Sequence, residues 1–423
     1  MSKILIKNIK KLYQTDVEDI RTRVTGKNMD QVPFIENAYL AIENDEIVDF
    51  GDMIDLQGIA DWNDLTIADA NGGIIIPTFC DSHTHLVFAQ SRESEFVDRI
   101  KGLSYEEIAL KGGGILNSAQ KLRETSEDEL FESALKRLDE VMHQGTGAIE
   151  IKSGYGLTVE SELKMLRVIK RLKAARNIPI KSTFLGAHAF PKEYKEAKDA
   201  YVDLIVNEMI PQVAQEELAE YIDVFIERNY FTIDQAEKIL KAGAEYGLKP
   251  KLHVNQFSIQ GGVALGAKYK AVSVDHLEEL DEADIQALQA SKTIATGLPS
   301  CSFFLSIPYT PARKLMDADI PLALATDYNP GSTPNGNMKL VMSMGCIKQR
   351  ITPHEALNAV TINGAAAMEL GDTIGTIAAG KKASFIVTTP MDSIDFMPYA
   401  FGTDTIDSVV INGEIIRKGK AFD

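Results

Sequence analysis

The residues best placed to do chemistry in this chain are two histidines, His83 and His85, which follow the apolar run Ile74-Ile75-Ile76-Pro77-Thr78-Phe79. Alternate side chains of an extended strand share a face, so both imidazoles are expected to point the same way. Imidazole nitrogen is the commonest protein ligand for zinc and related divalent ions, and a catalytic ion takes about three protein ligands plus an open position. The pair is therefore half of a metal site. A surface or hydrogen-bonded pair is the plain alternative. Against it stands the economy of the chain, which has seven histidines in 423 residues and sets two of them where an apolar strand stops.

The remaining ligands are sought at the ends of other strands. Apolar runs that read as strands recur at 147–151, 180–185, 222–226, 249–254, 271–274, 293–298 and 321–325. They are closed by His188, by His253 and Gln256, by His276, and by the segment Asp327 to Ser332. If these ends converge, His83, His85, His253 and Asp327 make an N₃O set suited to zinc, ferrous iron or similar ions. Taken singly, His253 reads as a core or loop histidine and Asp327 as a cap or turn residue. His143 and His354 fall in helical segments and read as surface residues. Cys80, Cys301 and Cys346 read as strand, loop or helix positions without a metal role.

An ion so held lowers the pKa of bound water towards about 7 and polarises a carbonyl. Asp327 would touch both metal and water, making it the natural proton acceptor and later the donor to a leaving nitrogen. His188 and His276 could polarise the carbonyl oxygen or orient the water. The reaction class this implies is hydrolysis of an amide-like C–N bond. Arg92 is the first candidate for an anion clamp, since its planar fork suits a carboxylate; a solvated loop arginine is the alternative. Tyr105 and Tyr155 each offer an apolar face with a hydroxyl, and Asn329, Gly331 and Ser332 could set amide groups over a polar ligand. Gly112-Gly113-Gly114 lacks the Lys-Ser/Thr ending of a phosphate loop and reads as a backbone turn near the site.

The elements that must bring these groups together follow a strand, loop, helix repeat, with helical segments such as 127–144 and 160–176. Eight strands alternating with helices suit a parallel (β/α)₈ barrel, whose active site gathers at the C-terminal strand ends. Residues before about 70 and after about 380 instead alternate apolar and polar residues in short runs that read as antiparallel strands. The expected organisation is a barrel over 73–377 and a small β-sandwich domain built from 1–72 and 378–423. The net charge of −17 argues against nucleic acid and anionic membrane as partners. Three widely spaced cysteines suit a reducing compartment, the N-terminus does not read as a signal peptide, and no apolar run approaches a membrane span. A cytoplasmic location is the expectation.

At the level of motifs the chain resembles the amidohydrolase superfamily, with His-x-His on the first barrel strand, histidines after the fifth and sixth, and Asp after the eighth. Within it, the chain resembles the imidazolonepropionases of histidine degradation. That resemblance rests on Asp81-Ser82-His83-Thr84-His85, Glu150-Ile151-Lys152-Ser153-Gly154-Tyr155-Gly156, Thr183-Phe184-Leu185-Gly186-Ala187-His188 and Ala325-Thr326-Asp327-Tyr328-Asn329-Pro330-Gly331. It implies a hydrolase that opens 4-imidazolone-5-propanoate to N-formimino-L-glutamate. It also implies one zinc or iron ion on His83, His85, His253 and Asp327, with Lys152 not bridging metals, and a homodimer. Substrate contacts are implied for Arg92, Tyr155, His188 and Gln256, with Asn329, Gly331 and Ser332 at the product end. Two positions depart from the family pattern. Gln256 stands where Glu is often found, and an amide cannot act as a base at neutral pH; Tyr328 stands where a smaller residue is expected. Proton transfer would then rest on Asp327 and His276, or the substrate would be another cyclic amide. The rival readings are a different amidohydrolase, such as a deaminase or cyclic amidase, and a catalytically silent metal-binding protein.

Overall fold

The computed structural model describes residues 3–58, 63–103, 107 and 113–423. Two eight-stranded sheets organise them. The first is a barrel of parallel strands, Phe79–Asp81, Thr146–Lys152, Ile180–Ala187, Tyr221–Ile226, Lys249–Val254, Ser273–His276, Ile294–Gly297 and Leu322–Leu324, each paired to the next. The strands are largely buried, as parallel strands covered on both faces must be, although several carry charged residues. Several of the helices between them start at side-chain caps. Ser126 and Glu129 form a capping box on Glu127–His143, and Thr232 and Gln235 form one on Ile233–Glu245. The first of these helices buries Leu130, Ala134, Leu138 and Val141, a stripe at helical spacing that faces the barrel.

How the barrel closes matters for the site. The first and eighth strands share no ladder, and the segments just beyond them meet instead. Thr84 bridges Tyr328, the amide of His85 donates to the Tyr328 carbonyl at 2.9 Å, and the amide of Asp327 donates to the His83 carbonyl at 3.0 Å. Below this seam the Asp81 carboxylate accepts from the amide of Thr326 at 3.0 Å and from its hydroxyl at 2.7 Å.

The second sheet joins the chain ends. Strands Lys3–Tyr13, Phe34–Glu43, Glu46–Asp52, Leu65–Asp69 and Ile74–Pro77 share it with Phe385–Thr388, Ile406–Ile411 and Glu414–Arg417. The expectation that residues before about 70 form antiparallel strands needs correction at Leu65–Asp69, which runs parallel to Lys3–Tyr13, as does Ile74–Pro77, expected in the barrel. The Asn412-Gly413 turn, both residues at positive φ, closes a hairpin near the C-terminus.

The run 74–79, read as one barrel strand, is divided between the two sheets. Pro77 is the last residue paired in register with the terminal sheet, and it has no N–H of its own to give that ladder. The Thr78 amide still donates to Ser384 at 3.2 Å, while the Phe79 amide turns to Gly145 at 2.9 Å and begins the barrel. Packing enforces the switch, since a Cβ on Gly147 would clash with Thr78.

Candidate metal centre and active site

Three imidazoles meet at the C-terminal end of the barrel. The ligand-capable atoms of His83, His85 and His253 lie within 4.8 Å of one another, and all three residues are buried. Asp327 completes the group, its Oδ1 lying 3.6 Å from Nε2 of both His83 and His85. The closing seam explains why. His83 and His85 leave one side of it and Asp327 the other, so the hydrogen bonds that shut the barrel also set the ligand spacing.

Carboxylates on neighbouring strands orient two of the rings. His83 Nδ1 stands 2.7 Å from Asp275 Oδ2, and His253 Nδ1 stands 2.8 Å from Asp223 Oδ2, whose partner oxygen accepts the His253 amide at 3.0 Å. An ionised carboxylate only accepts, so each Nδ1 carries the hydrogen and each Nε2 presents a lone pair. His83 Nε2 has no hydrogen-bond partner although it is buried, and the Nε2 atoms of His85 and His253 face each other at 3.3 Å. Burial drives the basicity of all three rings well below the usual range, reinforced for His83 and His253 by the Lys152 ammonium and for His85 by His188. Three imidazole nitrogens and a carboxylate oxygen converging on one buried point are what a cation satisfies. The donor set fits a metal ion.

Lys152 takes no part in that set. Its ammonium is buried 2.6 Å from Glu150, 2.9 Å from Asp223 and 3.6 Å from Asp275. Burial opposes its charge, but those three carboxylates outweigh burial and hold its pKa above the usual lysine value. Lys152 thus joins the two carboxylates that orient His83 and His253. Beneath it Lys251 pairs with Glu150 and donates to the carbonyls of Ser82 and Ala367, each at 3.0 Å.

The other strand-end histidines stand around the centre. His188 stacks on His85 with ring centroids 5.1 Å apart, its Nδ1 lies 3.1 Å from the Gly154 carbonyl, and burial lowers its pKa to about 4. It is a neutral ring whose Nδ1 hydrogen is committed to the backbone. His276, at φ 86°, sits 3.2 Å from Glu278. Burial disfavours its charge, yet Glu278, with Asp327 and Asp275, keeps its basicity above the ordinary value. Burial raises the Asp327 carboxyl to about 6.

A cavity of about 1420 Å³ opens over this floor, and its walls include Arg92, Tyr155, Gln256, Asn329, Gly331 and Ser332. Arg92 is only partly exposed, and its Nε and Nη2 engage Glu95, which also accepts the Gly114 amide at 2.9 Å. Its Nη1 packs against Gly331 so closely that a Cβ there would clash. The Asn329 side chain is occupied within its own loop, accepting the amides of Gly331 and Ser332 at 2.8 Å and donating to the Asp327 carbonyl at 2.7 Å. Gln256 donates to the Cys301 sulfur at 3.4 Å. Tyr105 and Gly112 lie outside the described residues. His143 is exposed and His354 half-buried, both on helices away from the cavity.

Several residues around the site were assigned no role from the sequence. Asp275 and Asp223 orient His83 and His253, Glu278 holds His276, and Cys301 lies beside Gln256. Glu162 is buried and accepts the amides of Gly154, Gly156 and Leu157 at 3.0, 2.7 and 2.9 Å, shaping the loop that carries Tyr155. For Asp223 a signal existed. It is one acid inside the apolar run 221–226, and a charge in a barrel strand must find a partner.

Comparison with known proteins agrees with this geometry. The model of the amidohydrolase family matches residues 74–416. The chain is 59% identical over 413 residues to an imidazolonepropionase of Christiangramia forsetii, covering 98% of this chain and all of that one. It is 57% identical to an imidazolonepropionase of Flavobacterium johnsoniae, over 97% and 99% of the two chains. In structure it resembles Escherichia coli guanine deaminase, with a TM-score of 0.74 at 14% identity over 99% of this chain and 100% of that one. It also resembles a zinc complex of atrazine chlorohydrolase from Arthrobacter aurescens, with a TM-score of 0.71 at 14% identity over 99% and 96%; at such identity these two speak for the fold alone. On the family match and on identity running nearly end to end, the chain belongs to the amidohydrolase family and, within it, to the imidazolonepropionases.

Proposed function

We propose that this chain hydrolyses the ring amide of 4-imidazolone-5-propanoate, opening it to N-formimino-L-glutamate. The observation that carries the reading is the convergence of His83, His85, His253 and Asp327 on the floor of a cavity walled by Arg92. The relatives' shared name supports the choice of substrate. One divalent ion per chain, zinc or iron, would be held by those four residues and would supply an activated water and a polarised carbonyl.

The protein's own groups do the rest. Arg92, braced by Glu95, meets the propionate, and the cavity wall adds Arg99, Lys192, Lys195 and Lys198 to draw an anion towards a chain of net charge −17. Tyr155 and His188 flank the ring, while Gln256 hydrogen-bonds it without taking a proton. Asp327, beside both the ion and the water, accepts a proton from the attacking water. The water oxygen stays on the carbonyl carbon, the ring C–N bond breaks, and Asp327 returns the proton to the leaving nitrogen. His276, held by Glu278, orients the water or the carbonyl oxygen. Proton transfer thus needs no base at position 256.

The test is turnover of freshly generated 4-imidazolone-5-propanoate, followed by loss of its ultraviolet absorbance, with metal content measured on the same sample. Conversion to formiminoglutamate at about one metal per chain is expected. Metal-loaded protein without turnover would move the reading to another cyclic amide. No described helix is long and apolar enough to cross a membrane. We further propose a cytoplasmic homodimer.

A further inference from the structure

Beside the first centre lies a second set of donor atoms that the reaction above leaves partly unused. His276, Glu278 and Cys301 each bring one nitrogen, oxygen or sulfur to within 4.8 Å of the others, and all three residues are buried. Glu278 divides its carboxylate unequally. Its Oε1 serves His276 Nδ1 at 3.2 Å and the Ser302 hydroxyl at 3.3 Å, while its Oε2 is buried with no partner. A buried, unpartnered carboxylate oxygen beside a thiol and an imidazole is an incomplete arrangement. The mixed N, O, S set is the one that borderline and soft divalent ions select over magnesium or calcium.

We propose that His276, Glu278 and Cys301 form a second metal site, which takes a thiophilic divalent cation such as zinc, cobalt or cadmium and silences the active site when filled. The ion takes the place of the hydrogen between His276 Nδ1 and Glu278, which moves to Nε2 of the ring or, from a protonated ring, leaves to the buffer, and the Cys301 thiol releases its proton to the buffer as the metal–sulfur bond forms. One carboxylate and one thiolate then balance the charge of the ion. The site is weaker than the first for two reasons. Burial holds the Cys301 thiol protonated, and an ion on His83, His85, His253 and Asp327 repels a second cation nearby. It therefore fills only when metal is in excess, and the enzyme carries one resident ion and one inhibitory ion. The silencing, though not the binding, rests on the role proposed above for His276.

The test uses the intact, metal-loaded protein carrying Cys346→Ser, which removes the thiol that is not fully buried. It is titrated with cobalt(II) while bound metal is counted by equilibrium dialysis and the near-ultraviolet thiolate-to-cobalt charge-transfer band is recorded. The first ligand set contains no sulfur, so the band reports Cys301. Expected are a second equivalent of metal, a band that grows with it, and turnover that falls in step. Cys301→Ser should abolish the band, and both it and Glu278→Gln should weaken the second equivalent by more than about tenfold. Saturation at one equivalent, or a band that survives Cys301→Ser, would overturn the site. A filled site with turnover unchanged would leave the binding standing and overturn the silencing, and with it the role given to His276.

Discussion

The metal side and the anion side of the cavity rest on different kinds of support. On the metal side the groups lie at strand ends, and their partners come from distant parts of the chain: His83 leans on Asp275, 192 residues away, and His253 on Asp223, 30 residues away. Lys152 ties both carboxylates to Glu150 in the barrel interior. On the anion side the groups lie in loops, and their partners are near in sequence. Arg92 is held by Glu95 three residues on, and the loop around Tyr155 by Glu162, eight residues beyond Gly154. One side is built into the closed barrel and the other is attached to it. Damage to the first should therefore reach metal retention and folding, whereas damage to the second should stay with substrate affinity.

The largest effect is expected at the seam. If Asp327 acts as proposed, Asp327→Asn removes the proton acceptor and a metal ligand, and turnover should fall by about 10²–10⁴ with lower metal content after dialysis. Full activity in that variant would remove Asp327 from proton transfer.

Lys152→Met probes whether the metal side depends on the barrel interior. It strips the buried cation from three carboxylates, Glu150, Asp223 and Asp275. Glu150 keeps Lys251, but taking the cation from buried Asp223 and Asp275 costs about 3–5 kcal/mol, visible as a lower urea midpoint at unchanged slope. An unchanged midpoint would erase the contrast drawn between the two sides.

Arg92→Ala is the opposite probe. Losing a charge-assisted clamp costs on the order of 1.5–3 kcal/mol, and this should appear as a raised KM with little change in the urea midpoint. Equal loss of affinity for an uncharged analogue would show that Arg92 does not read the propionate.

Two smaller changes sharpen the boundary. Asp223→Asn should loosen metal by about 10–100-fold, measured as the rate of loss to a chelator. Glu162→Gln keeps an acceptor for the loop amides but loses its charge, so about 1 kcal/mol is expected, read in KM and not in metal retention. Metal loss from Glu162→Gln would mean that the loop supports both sides.

Much of the architecture was legible because it is periodic. Seven of the eight apolar runs lie in barrel strands, separated by helices such as the one capped by the Ser126 to Glu129 box. The rule that chemistry sits at C-terminal strand ends singled out His83, His85, His188, His253, His276 and Asp327, because a side chain closing a parallel strand has few other places to point. Other features were not legible. The run 74–79 is uniformly apolar, so nothing in its pattern marks the change of sheet at Pro77 and Thr78. Apolar alternation likewise does not distinguish parallel from antiparallel partners, which is why Leu65–Asp69 was assigned the wrong sense.

What the sequence determined by itself is therefore the inventory and the period: which groups could bind metal or anion, and that a repeated strand and helix unit would present them at one end of a barrel. The tertiary structure decided the pairings. That Asp275 serves His83, that Lys152 neutralises carboxylates instead of binding metal, and that Cys301 faces Glu278 all follow from which strands become neighbours once the barrel shuts between His83 and Asp327. Hydrogen bonds and ion pairs act over about 3–4 Å, and a one-dimensional pattern does not specify distances of that size between residues far apart in the chain.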